Sequence, residues 1–479
     1  MSAPDKADLV IIGAGPAGLS AAIEARRAGV GSVVVLDEGV APGGQIFRRY
    51  GPGFSVTNAH RAGHEYRDGQ TLIESARASG ADIRSGTVVW GAWDRTLAFV
   101  TDETHSGAIE AEAIVIATGA RDRAVAFPGW TLPGVMTAGA AKTMVAIQRV
   151  LPGKRILMAG SGPLALAFSA QLREYGANIV EVVEAAGAPG VADLIELGLT
   201  GDPAVLMDAA RYRAQLFAHG VPFHHRTIIV RVEGSGEVER AVVAKVDRDW
   251  RVVPGTERTI EVDTVLLGYG LESNSEMSRL FNCTQRFDRT GGGWLPERDA
   301  HMRTSEPGMF AAGDGGGVGG SRSALQQGRI AGIAAALQLG ALSRANADER
   351  LAEPLRKLDR INRFVAALNR IYQVGPGLYE LATPETIVCR CEERRQSDLE
   401  ALVGDGLPDL NTIRSQSRIG MGRCQGRNCA SHVAATLARL TGRDVAEVPP
   451  PTARPPLKPV PVGAIAQRRP QPDAPVQVD

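Results

Sequence analysis

Two glycine-rich turns, each set between a short apolar strand and a helical stretch, constrain this 479-residue chain more than any other feature. The first is Gly13-Ala14-Gly15-Pro16-Ala17-Gly18, entered from the run Asp8–Ile12 and followed by a helical pattern to Ala28. A second strand, Val33–Leu36, then ends at Asp37 and Glu38. The pattern returns as Gly160-x-Gly162-x-x-Ala165, after the strand Arg155–Met158. There the helix runs to Tyr175, and the next strand, Ile179–Val183, ends at Glu184. A strand–turn–helix of this spacing is built for a dinucleotide. The first glycine permits the tight turn, the second lets the backbone approach a pyrophosphate, and the third lets helix and strand pack closely. Alanine is allowed in the third position. The phosphates then sit at the positive helix N-terminus. An acidic residue ending the second strand is expected to bind the ribose hydroxyls. At the first site that residue is Glu38, with Asp37 the second choice.

The rest of the chain fits around these two units. The length suggests about three domains. Lys plus Arg and Asp plus Glu both number 53, so the balance is neutral and offers no broad footprint for nucleic acid or an anionic membrane. No apolar run approaches the roughly 20 residues of a membrane-spanning helix. The N-terminus has no basic region before an apolar core, so a cytoplasmic chain without a signal peptide is expected. The expected fold class is α/β, with two Rossmann-like domains and a small helical C-terminal domain. The first nucleotide domain is expected over residues 1–150 and 261–345, and the second over 151–260. A helical linker follows over 346–384, a cysteine-bearing domain over 385–445, and a Pro-rich tail over 446–479. The tail's composition favours polyproline II and cannot build a core.

Four of the five cysteines crowd into the cysteine-bearing domain, as Cys389-x-Cys391 and Cys424-x4-Cys429. Such clustering in an unexported chain points to metal rather than disulfides. Four thiolates suit Zn²⁺ or a [2Fe–2S] cluster. A Cys-x-Cys pair is tight for a zinc knuckle, and Arg390, Arg423 and Arg427 add positive charge, which favours the cluster. Cys283 stands alone and is expected to be a buried structural thiol.

Three further stretches add a resemblance: APGGQIFRR at 41–49, IVIATGARDR at 114–123 and MFAAGDGGG at 309–317. In order and spacing they are similar to the two-dinucleotide-binding-domain flavoproteins of the thioredoxin and glutathione reductase type, over residues 6–340. The resemblance implies FAD at the first site, on Gly13, Gly15, Pro16, Ala17, Gly18 and Glu38. It places Thr118 and Gly119 in the strand-end turn, Asp314 against the ribityl or pyrophosphate portion, and Gly44 and Gln45 near the flavin ring. It implies NAD(H) or another adenine nucleotide at Gly160, Gly162, Ala165 and Glu184. The Glu184 carboxylate would accept ribose hydroxyls and repel a 2′-phosphate. Residues 1–282 hold no cysteine, so the redox disulfide of those reductases is missing.

The cysteine block resembles the bacterioferritin-associated-ferredoxin type of [2Fe–2S] domain. Its Cys-x4-Cys departs from the compact form's Cys-x-x-Cys and matches fused versions. Together with PGWTLPGVMTAGAA after the ATG strand, the whole chain resembles the large (A or α) components of soluble opine oxidases. The resemblance extends to dye-linked proline and D-hydroxyproline dehydrogenases and to the HcnB-type component of bacterial hydrogen cyanide synthase. It implies an electron-transfer subunit carrying FAD and a [2Fe–2S] cluster, a second flavoprotein subunit that oxidises the amine, and a small-molecule electron acceptor. The alternative is a self-sufficient NAD(P)H-dependent reductase passing electrons out through the cluster. No residue of this chain is assigned a catalytic role.

Overall fold

The computed structural model describes residues 4–48, 50–51, 53–54, 64–102, 105–407 and 409–466. Arg49 of the 41–49 stretch and the tail beyond Ala466 lie outside the described residues.

The chain opens with β1 (Asp5–Ile12), α1 (Pro16–Arg27) and β2 (Val33–Leu36). The inner half of β1 and all of β2 are covered on both faces, which is why they are continuous apolar runs rather than alternating ones. Pro16, in the first turn of α1, fits where no intrahelical donor is needed. Next come α2 (His64–Ala78), β3 (Asp82–Arg84), β4 (Thr87–Trp93), β5 (Thr96–Thr101), β6 (His105–Ile116) and the short β7 (Ala120–Asp122). The chain then builds β8 (Val135–Thr137), α3 (Ala138–Thr143), β9 (Ile156–Gly160), α4 (Pro163–Glu174), β10 (Ile179–Glu184), α5 (Val191–Thr200) and α6 (Pro203–Ala218). After β11 (Phe223–His225), an antiparallel layer forms from β12 (Thr227–Glu233), β13 (Arg240–Lys245) and β14 (Arg258–Glu261). Then follow β15 (Thr264–Gly268), β16 (Leu271–Ser273), α7 (Glu276–Leu280), the hairpin β17 (Gln285–Asp288)–β18 (Gly293–Pro296), β19 (Met309–Ala311) and α8 (Gly320–Gln338).

Two sheets organise these elements. The first runs β3-β2-β1-β6-β5-β4, with β19 paired to β6. Its β3, β2, β1, β6 and β19 are parallel, and β4 and β5 form an antiparallel extension. The second runs β11-β10-β9-β15-β8, all parallel. Helix α8 lies against α1 because glycine faces backbone. A Cβ on Gly328 would stand 2.1 Å from the Ala17 carbonyl oxygen, and one on Gly332 2.4 Å from that of Ala21.

The expected boundaries of the second domain need correcting. β8, assigned to residues 1–150, and β15, assigned to 261–345, both pair within the second sheet. Val125, Phe127, Trp130 and Val265 share one core with Leu157 and Val183. The second unit therefore spans about residues 124–269. The antiparallel pair β7–β16 carries the chain out of one unit and back. The glycine motif marks a domain's first interior strand but says nothing of edge strands that join it from farther away.

Helix α9 (Arg344–Ile371) runs on as the linker, with Pro354 buried inside it. The C-terminal unit holds the hairpin β20 (Ile387–Cys389)–β21 (Arg394–Arg395) and helices α10 (Gln396–Gly404), α11 (Leu410–Ser417) and α12 (Ala430–Thr441). Its own core includes Leu399, Ile413, Val433 and Leu437. The described part of the Pro-rich tail is neither a free end nor an arm into solvent. It returns to the first sheet, where the Leu457 N–H donates to the Trp90 carbonyl at 2.7 Å and Leu457 is buried in that unit's core. It ends in the short α13 (Val462–Ala466).

Candidate functional site

The first turn is assembled from four segments that the sheet order brings to one edge. Gly13 has φ +109°, and a Cβ there would stand 2.4 Å from the Ala117 carbonyl oxygen, so β1 and β6 can meet only over a glycine. A Cβ on Gly18 would stand 1.8 Å from the Gly13 carbonyl oxygen. Gly15 caps α1 with no side-chain hydrogen bond, and within 4 Å of a Cβ there lies only the Gly44 Cα, at 3.7 Å. Gly44 itself has φ +63°. Pro16 and Ala17 continue into the helix, and the exposed Gln45 follows the Gly43–Gly44 turn. The parallel pairing of β19 with β6 sets Asp314 beside Thr118 and Gly119: a Cβ on Gly315 would meet Thr118 Oγ1 at 2.9 Å. Thr118 Oγ1 donates to the Asn274 carbonyl at 2.7 Å. All the residues assigned to the first site except Glu38 gather here.

The acidic residue at the end of β2 needs correcting. Asp37, not Glu38, turns toward the glycine loop, where its carboxylate accepts from the N–H groups of Ala14 and Gly39. Glu38 points outward to Lys458 of the tail. Strand alternation decides this, since neighbours at a strand end face opposite ways. Burial pushes the Asp37 carboxyl up, opposed by those two N–H groups. Burial likewise raises Asp314, whose Oδ1 accepts from Gly319 and Gly320, each at 3.0 Å. The buried Arg298 stands nearby and is pushed down to about 10 by burial. It donates to the Ala311 carbonyl at 2.7 Å and to Gln327 Oε1 at 2.8 Å. The open glycine cradle, the uncapped helix end and the inward-turned Asp37 fit a dinucleotide.

The second turn has the same backbone and a different occupant. Gly160 passes β15 so closely that a Cβ would stand 2.5 Å from the Gly268 carbonyl oxygen. Gly162 has φ +91°, and Ala165 is fully buried behind it. A Cβ on Gly162 would meet Tyr372 Cβ and Cγ, each at 3.6 Å. Glu184 is 2% exposed and its carboxylate accepts from Gly162 N–H at 2.8 Å and Ala186 N–H at 2.9 Å. Burial pushes it up to about 7, against those two N–H groups and the Ser161 hydroxyl.

The four clustered cysteines come together from β20 and the loop ahead of α12. A hydrogen bond from Cys429 holds the Cys389 thiol down to about 6, with further help from the backbone N–H groups of Gly420, Glu392 and Cys391. Cys429 is raised by the same bond and by the charges of the other three. Cys391 and Cys424 form the other hydrogen-bonded pair. Among the described residues no three His, Cys, Asp or Glu side chains are set around a single-ion site. Cys283 is buried apart from them, with Sγ 3.4 Å from Thr304 Oγ1.

Sequence reasoning missed the junction that fastens this loop to the nucleotide units. Arg121, two residues after Gly119, donates from Nε to the Arg427 carbonyl at 3.2 Å and from Nη1 to Glu276 at 3.2 Å. Arg427 reaches the same Glu276 at 3.5 Å. Burial alone would raise Glu276, but Arg121, Arg427 and Arg279 outweigh it and hold the carboxyl low. Trp130, in the PGW stretch, donates to the Ile387 carbonyl at 2.6 Å and lies under Arg390. A cleft of about 1080 Å³ opens beside Cys429, with Arg279, Arg414, Trp294 and Tyr379 in its walls. The ATGARDR stretch offered a signal for Arg121; Tyr372, at the end of a long charged helix, offered none.

Comparison with known proteins agrees with this anatomy. Residues 7–340 match the family model described as pyridine nucleotide-disulphide oxidoreductase, and residues 384–468 match the sarcosine oxidase A3 domain. The chain is 34% identical over 460 residues to the HcnB subunit of hydrogen cyanide synthase from Pseudomonas aeruginosa, covering 95% of this chain and 97% of that one. It is 32% identical over 472 residues to the A-type subunit of opine oxidase from Agrobacterium tumefaciens, covering 96% and 91%. The fold is also that of L-proline dehydrogenase from P. horikoshii, with TM-score 0.67, 20% identity, and 98% and 81% of the two chains covered.

Proposed function

Because this chain belongs to the pyridine nucleotide-disulphide oxidoreductase family, and within it stands with HcnB of hydrogen cyanide synthase and the A-type subunit of opine oxidase, we propose that it is the electron-transferring subunit of a hetero-oligomeric amine or imino-acid dehydrogenase or oxidase. It is an FAD-dependent oxidoreductase. Bound FAD accepts electrons in pairs and releases them singly, and the protein binds, orients and tunes it. In this reading Gly13, Gly15 and Gly18 shape the cradle, the α1 N-terminus with Pro16 and Ala17 receives the pyrophosphate, and Asp37 takes the ribose. Asp314, with Thr118 and Gly119, faces the ribityl chain, and Gly44 and Gln45 lie toward the ring.

The observation that carries the proposal is the junction at Glu276. One carboxylate ties Arg121, just past the Thr118–Gly119 turn, to Arg427 in the cysteine loop. The flavin half and the cysteine loop are thereby held as one relay. Cys389, Cys391, Cys424 and Cys429 hold a [2Fe–2S] cluster. Two thiol pairs suit two irons, and backbone N–H groups already directed at Cys389 suit anionic sulfur. A small-molecule acceptor approaches through the arginine-lined cleft beside Cys429. The amine is oxidised on a second flavoprotein subunit, because the segment between the nucleotide units and the cysteine domain is essentially the single helix α9. Metal and sulfide analysis of anaerobically purified protein tests the cluster: about two iron per chain are expected, lost in Cys424→Ser and kept in Cys283→Ser. Stoichiometric zinc without acid-labile sulfide would refute it.

A further inference from the structure

The two glycine turns share a backbone but not an opening. At Gly15 the space a Cβ would enter meets only the Gly44 backbone, which is part of the cradle. At Gly162 the same space meets the side chain of Tyr372 at three atoms, Cβ and Cγ at 3.6 Å and Cδ1 at 3.9 Å. The second glycine of such a turn is the point where a pyrophosphate must approach the backbone. We infer that Tyr372 is a built-in gate that shuts the second nucleotide turn and insulates the flavin from reduced nicotinamide nucleotides.

The gate is positioned from both sides. Before it, α9 is held to α5 by the Arg370–Glu196 ion pair, and Phe364 packs 3.1 Å from where a Cβ on Gly201 would stand. Behind it, the chain passes the Asp249–Trp250 turn so closely that a Cβ on Gly375 would lie 2.5 Å from the Asp249 carbonyl oxygen. The Gly377 N–H donates to that same carbonyl at 2.9 Å. Tyr372 packs on the core of the second unit between these clamps. Burial pushes its hydroxyl up to about 12, with Glu184 and Asp193 adding to the effect, so it stays neutral beside the buried carboxyl. Glu184, the ribose acceptor of an open site, commits both oxygens to the turn itself. This replaces the expectation of an adenine nucleotide bound at the second turn. It rests on the dinucleotide character of the fold and is independent of the amine partner.

Calorimetry with ADP-ribose on the flavin-loaded protein tests the gate without catalysis, because the first site is filled. The wild type and Tyr372→Phe should show no binding at millimolar ligand, since the ring and not the hydroxyl fills the turn. Tyr372→Ala should bind at least about tenfold more tightly, as expected of a turn otherwise open less than a tenth of the time. Tyr372→Leu, which keeps apolar packing and removes the outer ring, serves if alanine fails to fold. Flavin bleaching by NADH should rise in parallel. Micromolar ADP-ribose binding to the wild type that is lost in Gly162→Val would overturn the gate. So would equal affinities in wild type, Tyr372→Ala and Tyr372→Leu.

Discussion

Asp37 and Glu38 are neighbours of the same charge, and only one can serve the glycine loop. The Asp37 carboxylate already accepts from the Ala14 N–H, whereas Glu38 pairs with Lys458 at the surface. Losing a charge-assisted hydrogen bond at a ligand contact costs about 1.5–3 kcal/mol. Asp37→Ala should therefore weaken FAD retention by about ten- to a hundredfold, and Glu38→Ala by little, read as flavin per protein after dialysis. The reverse order would restore Glu38. The glycines, the cysteines and the need for an acid were legible in the sequence because each is a local pattern. Which of two adjacent acids faces inward depends on the twist and phase of the strand end, which no local pattern records. Glu184 carries a pH signature. Its folded-state value of about 7 lies above the ordinary 4.5, so the fold holds a proton that the unfolded chain releases. Its contribution to stability is complete below pH 4.5 and is lost as pH rises through 7. Denaturant unfolding at about pH 5 and about pH 8 should show that loss in the wild type. Glu184→Gln should shrink it by on the order of 1–3 kcal/mol.

At the scale of elements, α1 and α8 are joined by glycine against backbone, and that contact fixes the angle at which the first cradle presents itself. A Cβ on Gly328 would press on the Ala17 carbonyl, a backbone atom of α1 that cannot rotate away. Gly328→Ala should cost about 1–3 kcal/mol by overpacking, measured as a fall in denaturation midpoint, and should lower flavin retention with it. Gly404→Ala, at a helical position with open space around it, should leave both unchanged or slightly raise stability. Equal effects of the two would mean the contact does not matter. The βαβ openings, the long α9 and the helical cysteine domain could be read from periodicity and glycine spacing. The edge strand β8 and the return strand β15 could not, because their partners lie far away in the chain. The tail's composition correctly indicated extended backbone without a core of its own. It carried no sign that Leu457 would be buried in the first unit and bonded to Trp90, since docking is a property of the surface it meets.

The whole molecule reads as two nucleotide folds, one open and one closed, bolted to a cysteine domain by Arg121, Glu276, Arg427 and Trp130. Among the described residues no helix is long and apolar enough to cross a membrane. With the second turn closed by Tyr372, electrons enter from elsewhere, and with only α9 between the units there is no substrate domain to supply them. Both features point to a partner. The most direct test is amine-dependent reduction of an artificial acceptor, assayed with an opine, proline, hydroxyproline or glycine. It compares the isolated, flavin- and iron-loaded chain with the same chain co-purified with its flavoprotein partner. The account predicts no turnover by the isolated chain and, in the complex, turnover that falls when Cys424→Ser removes the cluster. Full turnover by the isolated chain, verified free of any second polypeptide, would contradict it.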